Sequence, residues 1–230
     1  MTASVVATPA EIKPCEEHAI HRRAVGWKAA SRCRLRSPQT AAACSGRSYH
    51  PHMSALRSYR GISPQLGQRV YVDPAATVIG AVELGDDVSI WPGAVLRGDV
   101  QRIRVGARSN IQDGAIVHVT HDGLYSPGGF PCLIGSDVTI GHGAVVHACT
   151  IGDGCLIGMH ATVMDGASIG EFGFIGAGSL LAPGKTVGAG ELWVGNPARF
   201  VRKLSDRQIE QLRYSANHYV HLKDEYLAAL

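Results

Sequence analysis

The sequence predicts an all-β fold, a left-handed parallel β-helix of hexapeptide repeats that ends in a single α-helix. Three observations carry this expectation. Aliphatic residues recur at every sixth position through most of the chain. Glycine is abundant, at 28 of 230 residues, while aromatics make up only 6%. Near the C-terminus the period of six gives way to a helical one.

Residues 1–52 stand apart from the rest. They hold eight Lys/Arg against three Asp/Glu, and no acidic residue occurs between Glu17 and Asp73. The stretch "WKAASRCRLRSPQTAAACSGRS" has no sustained apolar period, so disorder is expected there. An acid-poor, Arg/Ser-rich leader resembles an organelle transit peptide. The favoured reading is a non-native or dispensable extension, with Met53 as the working start.

Residues 53–200 are expected to form the β-helix. Val72, Val78, Leu84, Ile90 and Leu96 make one series with a step of six, followed by Val105, Ile111 and Val117, then Ile134, Ile140 and Val146. Ile151, Ile157, Val163, Ile169, Ile175, Leu181 and Val187 complete the pattern. A step of six fits neither an α-helix nor a lone strand. It fits a three-sided prism in which each short strand turns one aliphatic inward and a glycine-containing turn opens the next face. Repeats of this class wind left-handed, against the usual crossover preference. Two interruptions stand out. "VTHDGLYSPGGFPCL", residues 119–133, should leave the prism as a loop. The step from Val146 to Ile151 is five, one residue short, just after His147.

Residues 201–230 are expected to form a helix that packs on the prism or on a neighbour. Ser205 and Gln208 have capping-box spacing. Ile209, Leu212, Ala216, Tyr219 and Tyr226 recur at helical spacing, with the tyrosines read as packing groups.

Residues 53–230 hold fourteen Lys/Arg and sixteen Asp/Glu, so the main body has no basic excess that calls for nucleic acid. No apolar run reaches the length needed to span a bilayer, which points to a soluble protein with no membrane partner. The six cysteines include no C-x-x-C pair, so a reducing, cytoplasmic setting is expected.

The histidines carry the chemistry. His118 and His147 each follow an inward aliphatic, Val117 and Val146, so alternation turns both rings outward. They are 29 residues apart. With a coil of about 18 residues, the surplus matches the extruded loop and places both on one face in adjacent coils. His142 follows Ile140 by two and should project from another part of its turn, where it could serve a neighbouring subunit's ion. Three imidazoles with one open position are the set that lowers the pKa of zinc-bound water toward neutrality. His160 reads as a surface or crevice residue. His121, on the loop, is a candidate proton carrier.

The motifs "RGD" (Arg97–Asp99), "NIQDGAIVH" (Asn110–His118) and "GHGAVVH" (Gly141–His147) resemble those of the gamma-class carbonic anhydrases and their short bacterial relatives. The likeness runs from about Met53 to Leu230. It implies a homotrimer with three interfacial metal sites and reversible hydration of CO2 to bicarbonate by a metal-bound hydroxide. In that pattern His118 and His147 of one subunit and His142 of its neighbour hold the metal. Zinc is the leading expectation, with Fe2+ or Co2+ as alternatives, since imidazole suits all three. Gln112 matches the residue that hydrogen-bonds the metal-bound water or hydroxide, with Asn110 and Asp113 in support. Arg97 and Asp99 match an interfacial ion pair, and the resemblance also implies a role for Arg97 in placing bicarbonate. The best-studied members carry a glutamate proton shuttle on a longer acidic loop, whereas no Glu occurs here between Glu83 and Glu171. His121 and Asp122 are the remaining candidates for proton transfer. Two rival readings share the prism: a hexapeptide acyltransferase using a CoA thioester, and a metal-binding trimeric scaffold with little turnover.

Overall fold

Val78, Leu96, Val117, Val146, Val163 and Leu181 stack rung upon rung in one column, each with no exposed surface. A second column holds Val72, Ile90, Ile111, Ile140, Ile157 and Ile175, and a third holds Leu84, Val105, Ile134, Ile151, Ile169 and Val187. Burial of each such side chain contributes about 1.5–3 kcal/mol, so the three columns are the core. These features come from a computed structural model, in which residues 55–229 are described. The leader, including the expected start at Met53, lies outside the described residues.

The coils form a parallel β-solenoid, and the hexapeptide repeats fit the left-handed winding expected of them. Successive coils in the first column advance by 18, 21, 29, 17 and 18 residues. Each departure from 18 has a local cause. The coil of 21 contains the strand Val95–Val105, which spends nine residues between Leu96 and Val105 where the strand Thr77–Leu84 below it spends six between Val78 and Leu84. The coil of 29 carries the extruded segment, which is a small hairpin closed by antiparallel bridges Thr120–Phe130 and Gly123–Ser126. The strand Cys132–Ile134 takes up the last residues of the expected loop. The coil of 17 contains the short turn after His147, where Ala148 adopts φ 49° in place of the glycine usual at these corners.

Past the last coil, Glu191–Gly195 pairs in antiparallel fashion with Ala198–Lys203, and the helix Asp206–Ala228 follows. The backbone N–H of Ser205 donates to Gln208 Oε1 at 3.2 Å, the reciprocal half of the expected capping box. Leu212 and Ala216 are buried as their spacing predicts. Tyr219 and Tyr226 pack edge-on to Trp91, with ring centroids 5.6 and 5.1 Å away. Lys223 is also buried, with no exposed surface, and its ammonium pairs with Asp87 at 2.8 Å and with Asp224. Asp87 also accepts from Arg69 Nε at 3.0 Å. The Lys223 hydrogen bond, helped by Arg69 and opposed by partial burial, holds the Asp87 carboxyl below the usual range.

A carboxyl whose folded pKa is depressed stabilises the fold fully above its unfolded value, near 4, and loses that contribution as pH falls through the folded value. Asp87→Asn is therefore expected to lower the thermal midpoint at pH 7. The gap to wild type should narrow as pH drops below about 4. Thermal scans by circular dichroism from pH 7 to pH 3 measure this, and a gap independent of pH would contradict it.

Candidate metal centre

The strands Ile116–His118 and Val145–His147 are adjacent rungs, and their register sets His118 directly against His147. Val117 and Val146 point into the core, so both imidazoles stand on the outer face, half-buried. His118 Nδ1 and His147 Nε2 face each other at 3.0 Å. The strand Val95–Val105 forms the rung on the other side of His118, with Leu96 against Val117. Its "RGD" segment then passes the corner. Gly98 is required there, because a Cβ would lie 2.5 Å from the Ala81 carbonyl oxygen.

Each histidine has its other nitrogen on a carboxylate. His118 Nε2 donates to Asp99 Oδ1 at 3.1 Å, and His147 Nδ1 donates to Asp165 Oδ1 at 2.6 Å. The second oxygen of Asp99 takes the Arg97 guanidinium, and the second oxygen of Asp165 takes the Thr120 hydroxyl. Burial pushes both carboxyls up, but these hydrogen bonds outweigh it and hold Asp99 and Asp165 below the ordinary carboxylate range. Burial lowers the His118 pKa, against the opposing hydrogen bond to Asp99, which favours a neutral ring.

Ionised carboxylates only accept, so each ring has an N–H on its carboxylate side. At 3.0 Å the two facing nitrogens need a proton or a cation between them, since two bare lone pairs at that distance repel. Two nitrogens bound to one tetrahedral zinc ion at 2.0–2.1 Å lie about 3.3 Å apart. The donor pair fits such an ion with a shift of a few tenths of an ångström.

His142 lies in the turn between Thr139–Ile140 and Val145–His147, exposed, with Nδ1 on Asp113 Oδ2 at 2.8 Å. With Nδ1–H on that carboxylate, Nε2 is the ring nitrogen that can offer a lone pair. Among the described residues no three His, Cys, Asp or Glu are grouped within the chain to hold a metal, so His142 does not join the pair in its own protomer. His142 and Gln112 line one cavity of about 330 Å³, walled by Leu156, Met159, Phe174 and Tyr219. Gln112 is buried, and its Nε2 donates to Asn110 Oδ1 at 3.0 Å. Asn110 Nδ2 donates to Thr139 Oγ1 at 3.0 Å, and Thr139 meets Ser215 of the C-terminal helix at 3.3 Å. This ladder leaves the Gln112 carbonyl oxygen as the group available to a ligand.

The family model described as "Bacterial transferase hexapeptide (six repeats)" matches residues 63–98 and 148–183. YrdA of Escherichia coli (strain K12) is 52% identical over 172 residues, covering 75% of this chain and 94% of YrdA. Mitochondrial gamma carbonic anhydrase 2 of Arabidopsis thaliana is 44% identical over 174 residues, covering 74% of this chain and 62% of that protein. The chain belongs to the gamma carbonic anhydrase-like hexapeptide-repeat family. A solved structure described as a putative acetyltransferase of Bacillus cereus has a TM-score of 0.71 at 32% identity, covering 76% of this chain and 98% of that one. The chain is thus similar both to a relative described as a carbonic anhydrase and to a solved structure described as a putative acetyltransferase.

Within this gamma carbonic anhydrase-like chain, His121 is exposed at the hairpin root. Asp122 Oδ1 accepts the Gly128 N–H at 2.7 Å and so shapes the hairpin. His160 is exposed too, with φ 54° and its ring against Gly143. Sequence reasoning missed Asp165 and Thr120. Asp165 lies 18 residues after His147, one position past its counterpart in a coil of 17, so the period did not single it out. No helix among the described residues is long and apolar enough to cross a membrane.

Thr139→Val should remove the acceptor for Asn110 and slacken the ladder that holds Gln112. The expected loss is about 1–2 kcal/mol of stability with the β-rich spectrum retained. Chemical denaturation followed by circular dichroism measures it, and an unchanged midpoint would show that the ladder does not stabilise the fold.

Proposed function

We propose that this chain catalyses reversible hydration of CO2 to bicarbonate in a homotrimer, with a divalent ion at each subunit interface. His118 and His147 of one protomer and His142 of the next would hold the ion. The observation that carries this reading is the convergence of two imidazole nitrogens at 3.0 Å, each ring held by a carboxylate through its other nitrogen. The third histidine has the same carboxylate arrangement and a free Nε2, but stands elsewhere on its own protomer. A neighbouring copy is therefore the natural source of the third ligand.

When held by these three imidazoles, zinc would supply a nucleophile by lowering the pKa of a bound water toward neutrality. Fe2+ and Co2+ suit the same donors. Gln112, held by Asn110, presents its carbonyl oxygen to orient the reacting oxygen. Arg97, anchored on Asp99, presents a cation to the bicarbonate product. His121 carries the released proton to solvent, since the Asp122 carboxylate is engaged within the hairpin.

The acyltransferase reading is favoured by the description of the family model and of the Bacillus cereus relative. Co-expression of His142→Ala and His147→Ala chains, tagged differently, tests the shared site. Each variant alone should form a folded trimer without metal. Mixed trimers should regain one intact site each, with about one metal per trimer and a matching fraction of CO2-hydration activity in stopped-flow assays. Full metal occupancy in the His142→Ala homotrimer would overturn the shared site. A metal-free wild-type trimer that binds CoA would favour acyl transfer, and a metal-loaded one without turnover would favour a scaffold.

A further inference from the structure

Asp165 sits in the turn after Thr162–Val163, in the coil next to that of His147. Both of its carboxylate oxygens are committed. Oδ1 takes the Nδ1–H of His147 at 2.6 Å, and Oδ2 takes the hydroxyl of Thr120. Thr120 is where the chain leaves the prism: its N–H and carbonyl pair with the carbonyl and N–H of Phe130, both at 3.0 Å. One side chain thus joins three coils, linking the root of the hairpin to an imidazole of the candidate metal centre.

The short turn after His147 makes this reach possible. Val146 pairs with Val163, but the first strand is followed by five residues to the next column position and the second by six. The Asp165 turn is therefore the longer of two stacked corners. The Gly166 N–H donates to the Ala148 carbonyl at 2.8 Å, which pins the longer corner against the shorter one. The Asp165 side chain is left free to turn back toward His147.

We propose that Asp165 is a positioning residue for the metal and that Thr120 holds it in place. By accepting the Nδ1–H, Asp165 fixes His147 in the tautomer whose Nε2 lone pair faces His118. Without that acceptor the imidazole can rotate about its side-chain bonds or move its proton to Nε2, and either change removes the donor. Thr120 ties the second oxygen, so the carboxylate cannot swing away. The inference rests on the metal reading above and adds a residue to it that touches neither ion nor substrate.

The test is zinc affinity, measured on metal-free trimers by competition with a chromophoric chelator. Size and circular dichroism are checked for each variant. Asp165→Leu keeps the branched shape and removes the acceptor, and should weaken zinc binding by about 10–100-fold. Asp165→Asn can still accept from His147 and donate to Thr120, so it should recover most of the affinity. Thr120→Val should give a smaller loss, up to about tenfold, that Thr120→Ser restores. A purely packing role would not yield that ordering. Wild-type affinity in Asp165→Leu, with zinc lost in His147→Ala, overturns this inference alone. Should Asp165→Leu fail to fold, wild-type affinity in Thr120→Val overturns it instead. A wild-type trimer that takes up no zinc overturns both this inference and the reading beneath it.

Discussion

Each aliphatic must stand over its counterpart one coil away, and that register constrains everything else in the prism. A slip of one residue would turn an inward set outward and expose a whole column. Extra or missing residues are therefore tolerated only at corners, where the chain can bulge and return. Leu96, Val117, Val146 and Val163 remain in one column although the coils between them differ by as much as twelve residues. The irregular coils also share a location. The one of 21 carries Arg97 and Asp99, the one of 29 carries Thr120 and His121, and the one of 17 follows His147. The regular coils supply the scaffold, and the candidate chemistry lies where regularity breaks.

Charge placement follows from the same geometry. Asp99, Asp113 and Asp165 come from different corners, yet each meets one ring nitrogen of a predicted ligand histidine. Stacked rungs bring residues of adjacent coils within hydrogen-bond reach with little conformational freedom left to lose. Orienting an imidazole thus costs less entropy here than on a mobile loop. The ladder from Ser215 through Thr139 and Asn110 to Gln112 extends the arrangement to the C-terminal helix, which covers that face.

Much of this could be read from the sequence, because a repeat turns sequence distance into spatial distance. The step of six named the core columns, and the separation of 29 between His118 and His147 placed them on neighbouring rungs once the loop was subtracted. Helical spacing identified Leu212 and Ala216. Other features were silent for physical reasons. Asp165 sits in "MDGA", which looks like any turn with Asp before Gly, and its partners are set by a corner one residue shorter in the next coil. Lys223 reads as a solvent-facing helix residue until Asp87 is known to lie beneath it. The hairpin at Thr120–Phe130 was concealed by its glycines and prolines, which mark a departure from the prism without saying how the segment closes.

The antiparallel strand Ala198–Lys203 has a consequence for how copies meet. A parallel solenoid that simply stopped would present a row of unsatisfied backbone groups, onto which the first coil of another molecule could add, and growth into a filament would follow. Here the last strand of one face reverses direction and carries Arg199, Arg202 and Lys203 along the edge. Charge and reversed polarity make that edge a poor template for a further parallel rung. On that face, association is steered away from the end of the column and toward its sides.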